Sequence, residues 1–169
     1  MSKKPSAPVS ANKDVSHTLP TDKNLLAAIG TIALLHAHLD NALRMTIKDI
    51  TGLSKDETLD ATARQGSRDL RERVRRLAKQ RFGESTALVK LDTLLYRAGR
   101  ATDTRNGILH SVWGTELDGD VMIRREDHSF EPGKSVEELK EFAEELRSII
   151  WEFIYARLDD DGFLSKALK

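Results

Sequence analysis

The sequence predicts an all-α protein: an antiparallel bundle of four main helices, with one short additional helix and a β-like hairpin or ordered loop before the last helix. Three observations predict it. Apolar residues recur at three- and four-residue steps through four long stretches, the period of an amphipathic helix. Each stretch opens on an aspartate, serine or threonine suited to capping, and two of the four close at a glycine. The connections between them are short, and 169 residues suit one domain with a sizeable core.

Residues 1–20 carry Pro5, Pro8 and Pro20 among Ser, Lys and Asn, with little to bury, which predicts a flexible tail. The helical domain is expected over residues 21–159, and a short C-terminal tail over 160–169. From Asp22, the residues Leu25, Ile29, Ile32, Leu35, Leu39, Leu43, Ile47 and Ile50 mark a long first helix ending near Gly52. His36 lies on this stripe and is expected as a core histidine hydrogen-bonded to a neighbour, with Asp40 one turn on at the stripe's edge. Ser54-Lys55-Asp56-Glu57 has the capping-box spacing and opens a short helix that breaks around Gly66.

Ser67 is expected to cap the next helix, which buries Leu70, Val74 and Leu77 and ends at Gly83. Its other faces hold Arg68, Arg71, Arg73, Arg75, Arg76, Lys79 and Arg81 against Asp69 and Glu72, the most basic stretch in the chain. Guanidinium forks match phosphate oxygens, so Arg68, Arg71, Arg75 and Lys79 are candidate RNA-backbone contacts, and a solvated helix face is the alternative. Ser85 or Thr86 opens a further helix through Leu88, Leu91, Leu94 or Leu95, and Ala98. Gly99 and Gly107 sit inside it at a cost of about 1 kcal/mol each against alanine, which suggests a kink or the close approach of another backbone, as in a dimer interface. Asp118-Gly119 is a hairpin turn signal followed by alternating Val121 and Ile123, and predicts a small two-stranded excursion or an ordered loop. Ser135-Val136-Glu137-Glu138 is a second capping box and opens the last helix, with Leu139, Phe142, Leu146, Ile149, Ile150, Phe153 and Ala156 on one side. That helix is expected to end by Asp159, with Phe163 and Leu164 docking back from the tail.

Lys and Arg total 27, as do Asp and Glu, so no whole-molecule field draws in nucleic acid and any such attraction must be local. Cysteine is absent, which excludes disulfides, thiolate metal sites and a thiol nucleophile. The start of the chain lacks an apolar signal core, and the most apolar helix is interrupted by His36, His38 and Asp40, so a soluble cytoplasmic protein is expected.

The chemistry concentrates in Asp103-Thr104-Arg105-Asn106-Gly107-Ile108-Leu109-His110-Ser111-Val112-Trp113. At about 100° per residue, Asn106 and His110 share a small, polar face with Asp103 and Gly107. Arg105 falls instead on the inward line of Leu91, Leu94, Ala98, Ala101, Ile108, Leu109 and Val112, where a guanidinium needs a partner, and Asp40 is the expected one, with Asp103 the alternative. Arg105-Asn106-x-x-x-His110, late in a helix of an all-α chain and followed by Val112-Trp113-Gly114, resembles the Arg-x4-His signature of the HEPN superfamily (higher eukaryotes and prokaryotes nucleotide-binding domains). The resemblance is close over residues 98–114 and loose over 22–158.

What the resemblance implies is a metal-independent endoribonuclease needing no cofactor. The neighbouring 2′-hydroxyl would attack the scissile phosphate, leaving a 2′,3′-cyclic phosphate and a 5′-hydroxyl. His110 would move protons, Arg105 would hold the developing charge, Asn106 would orient His110, and Asp40 and Asp103 would support them. Two protomers of a homodimer would set their motifs side by side, supplying a base and an acid, and Tyr96 and Trp113 would stack bases or pack the interface. A toxin or defence role is implied too, with an antitoxin or regulatory protein as possible partner. Toxins paired with a nucleotidyltransferase antitoxin carry Tyr two residues after the histidine, where this chain has Val112.

Two alternatives stand beside this reading. Arg105 anchored in a plain ion pair would leave a non-catalytic helical dimerisation or RNA-binding module. A metal site from His36, His38, Asp40 and His110 is disfavoured, because His38 points away from the face that His36 and Asp40 share.

Overall fold

The computed structural model describes residues 15–16, 19–116, 121–124 and 130–169. It is mainly helical with a small antiparallel sheet, and two compact units are distinguished. The helical unit comprises residues 22–110 and 134–169; the sheet unit is built on residues 111–133 and the N-terminal segment that contributes Val15–Ser16.

In the helical unit, α1 spans Lys23–Thr51. The Asp22 carboxylate accepts from the backbone N–H groups of Asn24 and Leu25, and Gly52 ends the helix in the left-handed region. The inward face of α1 carries Leu25, Ala28, Ile32, His36, Leu39, Ala42, Leu43, Thr46, Ile47 and Ile50, all buried, while Ile29 and Leu35 lie half-buried beside it. By length and composition α1 is apolar enough to cross a membrane, with a mean hydropathy of 1.2, yet this face packs against other helices, which is compatible with a soluble protein. Helix α2, Lys55–Thr62, opens on the full capping box of Ser54 and Glu57. Helix α3 spans Ser67–Phe82, α4 Thr86–Leu109, α5 Val136–Leu158 and α6 Phe163–Leu168. Helix α1 is central, touching α2, α3, α4 and α5, with its most extensive contact on α5. Each fully buried leucine or isoleucine of this core contributes about 1.5–3 kcal/mol. A charged clamp adds to it: Arg157 Nε lies 2.6 Å from Asp49 Oδ2, joining α5 to α1 with only 8% and 18% of the side chains exposed.

Several expectations need correcting. Ser67 does not cap α3; Gly66 stands at that position without a side-chain bond, because the Ser67 hydroxyl is committed to Asp40 on α1. The inward face of α3 is Leu70, Val74 and Ala78, with Leu77 half-buried. The C-terminal segment 160–169 is not simply a tail, since it carries α6. Leu164 is fully buried, and the chain passes so close to the end of α5 at Gly162 that a Cβ there would run into the carbonyl oxygens of Tyr155 and Ala156.

The sheet unit is larger than a two-stranded excursion. Strands β1 (Val15–Ser16), β2 (Val112–Glu116), β3 (Val121–Arg124) and β4 (Phe130–Pro132) form one antiparallel sheet in that order, with Trp113 opposite Ile123 and Gly114 opposite Met122. Val15–Ser16, expected in the flexible tail, pairs with Glu116 and Thr115 of β2. The turn expected at Asp118-Gly119 lies outside the described residues. Val112 belongs to β2 and not to the inward stripe of the preceding helix, since α4 stops at Leu109. Within this unit Trp113 lies over Gly133, where a Cβ would stand 3.1 Å from its ring.

Candidate functional site

Helix α4 carries the motif to its last turn. Ser85 caps its start, and its buried face runs Leu88, Leu91, Leu94, Leu95, Ala98, Ala101, Thr102 and Ile108. The helix closes at Leu109, and His110 is its C-cap residue, whose N–H donates to the carbonyl of Asn106 at 2.9 Å. Beyond it the chain becomes extended, which leaves the His110 side chain exposed at the helix end rather than on its flank. Asp103 is also exposed.

Arg105 is half-buried, as its place on the inward line predicts, but its partner is not a carboxylate. Its Nη1 donates to Asn106 Oδ1 at 2.9 Å, and its Nε is enclosed with no hydrogen-bond partner. Among the described residues no ion pair joins Arg105 to Asp40 or Asp103. Asp40 is taken up elsewhere: it accepts from the Ser67 hydroxyl, and its Oδ2 stands 3.9 Å from His36 Nδ1. The Asn106 side chain is thus bonded to Arg105 and not to His110, which corrects the orienting role expected of it. Arg105 and Asn106 are brought together, and His110 is reached through the backbone of the same turn.

Behind this turn lies a polar cluster inside the helical core. Four threonines are buried in the unit, and each donates to the carbonyl four residues before it: Thr46, Thr58, Thr62 and Thr102. Thr102 alone among them also serves two other helices. Having given its proton to the Ala98 carbonyl at 2.8 Å, its oxygen accepts from Arg71 Nη1 at 3.0 Å and lies 3.3 Å from His36 Nε2. That donor order places the His36 proton on Nε2, leaving the bare Nδ1 toward Asp40. Burial pulls the His36 imidazole below its ordinary pKa; the Asp40 carboxylate opposes this, and the guanidiniums of Arg105 and then Arg71 reinforce it. His36 is therefore the hydrogen-bonded core histidine that its stripe position implied. Thr102 and Ser67 were missed as site residues, since one threonine inside a helix and one serine at its start carry no signal of what lies opposite.

The basic face of α3 divides. Arg68 pairs with Glu72 at 2.9 Å, Arg75 with Asp92 at 3.0 Å and Lys79 with Glu84 at 3.1 Å, each cation being exposed. Arg71 differs: half-buried, it is held by the Thr102 hydroxyl and lies along the bare backbone of Gly99, where a Cβ would sit 3.5 Å from its Nε. Within the chain, then, Gly99 admits a side chain rather than another backbone, and a Cβ at Gly107 would meet nothing within 4 Å. Tyr96 is 69% exposed. Among the described residues no three His, Asp or Glu side chains gather as a metal-ligand group. No protein-family model, curated protein or solved structure matches the chain.

Proposed function

We propose that this protein is a metal-independent endoribonuclease of the HEPN type, acting in the cytoplasm as a homodimer, with α1, α3, α4 and α5 forming an antiparallel four-helix bundle. One observation carries the reading: Arg105 is half-buried and held by an amide oxygen instead of a carboxylate, five residues before the exposed His110. A guanidinium neutralised by a carboxylate would have little left for a phosphate, whereas this one has no carboxylate partner among the described residues. His110 at the open helix end can take the 2′-hydroxyl proton or return one to the 5′-oxygen, and Arg105 can hold the charge on the phosphorus centre. The 2′-oxygen–phosphorus bond forms as the bond to the 5′-oxygen breaks, so a 2′,3′-cyclic phosphate and a 5′-hydroxyl remain. A second protomer across a two-fold axis supplies the complementary acid or base. Arg68 and Lys79 sit in exposed ion pairs worth at most about 1 kcal/mol, weak enough for an RNA backbone to replace, while Arg75, itself exposed, pairs with the half-buried Asp92. A toxin or defence role, with an antitoxin or regulatory partner, follows from the same resemblance.

The second reading, a non-catalytic dimerisation or RNA-binding module, is favoured by the bond from Arg105 to Asn106, which leaves His110 without its expected orienter. An RNA cleavage assay in excess EDTA separates the two. The nuclease reading expects cutting by the wild type, its loss by a factor of about 100 or more in His110→Ala, and an unchanged melting temperature, since His110 is exposed. Cleavage that survives in His110→Ala, or that EDTA abolishes, would remove it.

A further inference from the structure

Of the four α3 cations considered as RNA contacts, Arg68, Arg75 and Lys79 stand beside carboxylates, and among the described residues Arg71 does not. Its one hydrogen-bonded partner among the described residues is the Thr102 hydroxyl, and Thr102 lies three residues before Arg105 and four before Asn106 on α4, one helical turn away. Arg71 and Arg105 are therefore fastened to successive turns of the same helix, each by a neutral oxygen: Thr102 Oγ1 for one and Asn106 Oδ1 for the other. Two guanidiniums held on neutral oxygens one helical turn apart gain from an anion placed between them. Asp40, the carboxylate that faces His36 in this cluster, is committed to Ser67. At Gly99 the Arg71 guanidinium lies against α4, within ordinary contact distance of a Cβ placed there. The turns from Thr102 to His110 cover roughly 12 Å at 1.5 Å per residue, room for more than one phosphate of an extended strand.

We propose that Arg71 is a second phosphate-binding residue of this site, engaging the phosphate next to the one that Arg105 and His110 engage, so that the site reads two successive phosphates of single-stranded RNA. Arg71 thereby leaves the basic surface of α3 and joins the end of α4. The assignment rests on reading that end of α4 as a phosphate site, but it does not require cleavage.

The test uses the full chain and a 2′-O-methyl RNA octanucleotide, which binds but lacks the attacking hydroxyl. Affinity is measured by fluorescence anisotropy across a series of salt concentrations. Arg71→Gln should weaken binding about tenfold and lower the log-log salt slope by about 0.7, the loss of one single-strand phosphate contact, while Arg71→Lys should restore the slope. A purely structural Arg71 would lower the melting temperature and leave the slope unchanged, and that result overturns the proposal, as does an unchanged slope in a well-folded Arg71→Gln protein. Should Arg71→Gln fail to fold, Arg71→Lys decides: wild-type slope with weakened affinity supports a charge held by the fork, and wild-type affinity and slope together with an unchanged slope in Gly99→Leu, which displaces the guanidinium, overturn it. Failure of the nuclease reading is seen separately, as wild-type protein that binds through Arg71 and Arg105 but leaves ordinary RNA intact.

Discussion

The two halves of α4 meet the rest of the helical unit in opposite ways. Toward its start, Val89, Thr93, Leu94 and Arg97 face Trp151, Tyr155 and Phe163 across an open groove of about 730 Å³, where Val89 and Trp151 are each 65% exposed. Toward its end, the same helix offers Thr102, Arg105 and Asn106, tied by hydrogen bonds within α4 and, through Thr102, to α3 and α1. Volume favours the groove as a binding site, and chemistry favours the other end. In the groove Arg97 is neutralised, for its Nη1 reaches both Glu152 oxygens at 2.7 and 2.6 Å, and Lys90 is the remaining cation of the lining. At the polar end two guanidiniums have no carboxylate partner among the described residues, and unmatched positive charge attracts anions. The size of a cavity is thus a poor guide to where an anion would bind on this helix.

The largest effect that would sharpen this contrast comes from a pair of threonines. Thr102→Val keeps the side chain's shape but leaves Arg71 Nη1 without its acceptor and His36 Nε2 with only the Ser67 hydroxyl at 3.4 Å, so stability should fall by about 1–3 kcal/mol. Thr93, in the groove half, is exposed and bonds only back to the Val89 carbonyl at 3.0 Å, so Thr93→Val should change stability by less than about 0.5 kcal/mol. Urea unfolding of both variants measures the difference. Equal losses would mean that the polar cluster is not the connecting structure described here.

How much of this was legible in the sequence follows the range of the interactions. The capping boxes at Ser54 and Ser135, the Gly52 stop and the α1 stripe depend on residues within a turn or two of each other, and the periodicity reports them directly. The Arg105-Asn106 bond is equally local, yet a carboxylate was the expected partner, because helix position shows that Arg105 turns inward and not which oxygen waits there. Asp40 and Ser67 are 27 residues apart, and Arg71 and Thr102 are 31 apart, so nothing along the chain announces either bond. The helix stop before Ser111 was missed for a related reason: Val112 continues the helical apolar spacing by coincidence, while its pairing with Arg124 in the sheet decides its conformation.

A smaller effect should appear with pH. His36 titrates below its ordinary value in the folded chain, chiefly because it is buried, so between that lowered pKa and about 6.5 the unfolded chain binds more protons than the folded one. The stabilisation linked to neutral His36 is therefore complete above about pH 6.5 and is lost as pH falls through the folded-state pKa. His36→Gln should flatten this part of the stability profile. His38→Gln, exposed on the opposite side of α1, should leave it as in the wild type. Chemical denaturation from about pH 7.5 down to 5 compares the three proteins. A His36→Gln profile as steep as the wild type's would show that the cluster does not hold the imidazole neutral.

The smallest expected effect is the one that could do most damage to the comparison. If the two protomers meet through the Arg105 to His110 end of α4, the groove at the other end takes no part, and Trp151→Gln should leave both assembly and RNA cleavage as they are. Trp151 is 65% exposed on α5, so the substitution removes little packing and should cost less than about 0.5 kcal/mol. Val89 lies 16 residues before Arg105, roughly 24 Å along the helix at 1.5 Å per residue, so a dimer formed around the groove would keep its two motifs well apart. Sedimentation velocity distinguishes these arrangements. A wild-type dimer that becomes monomeric in Trp151→Gln would place the interface in the apolar half of α4, and the proposed site would then have to work with a single histidine.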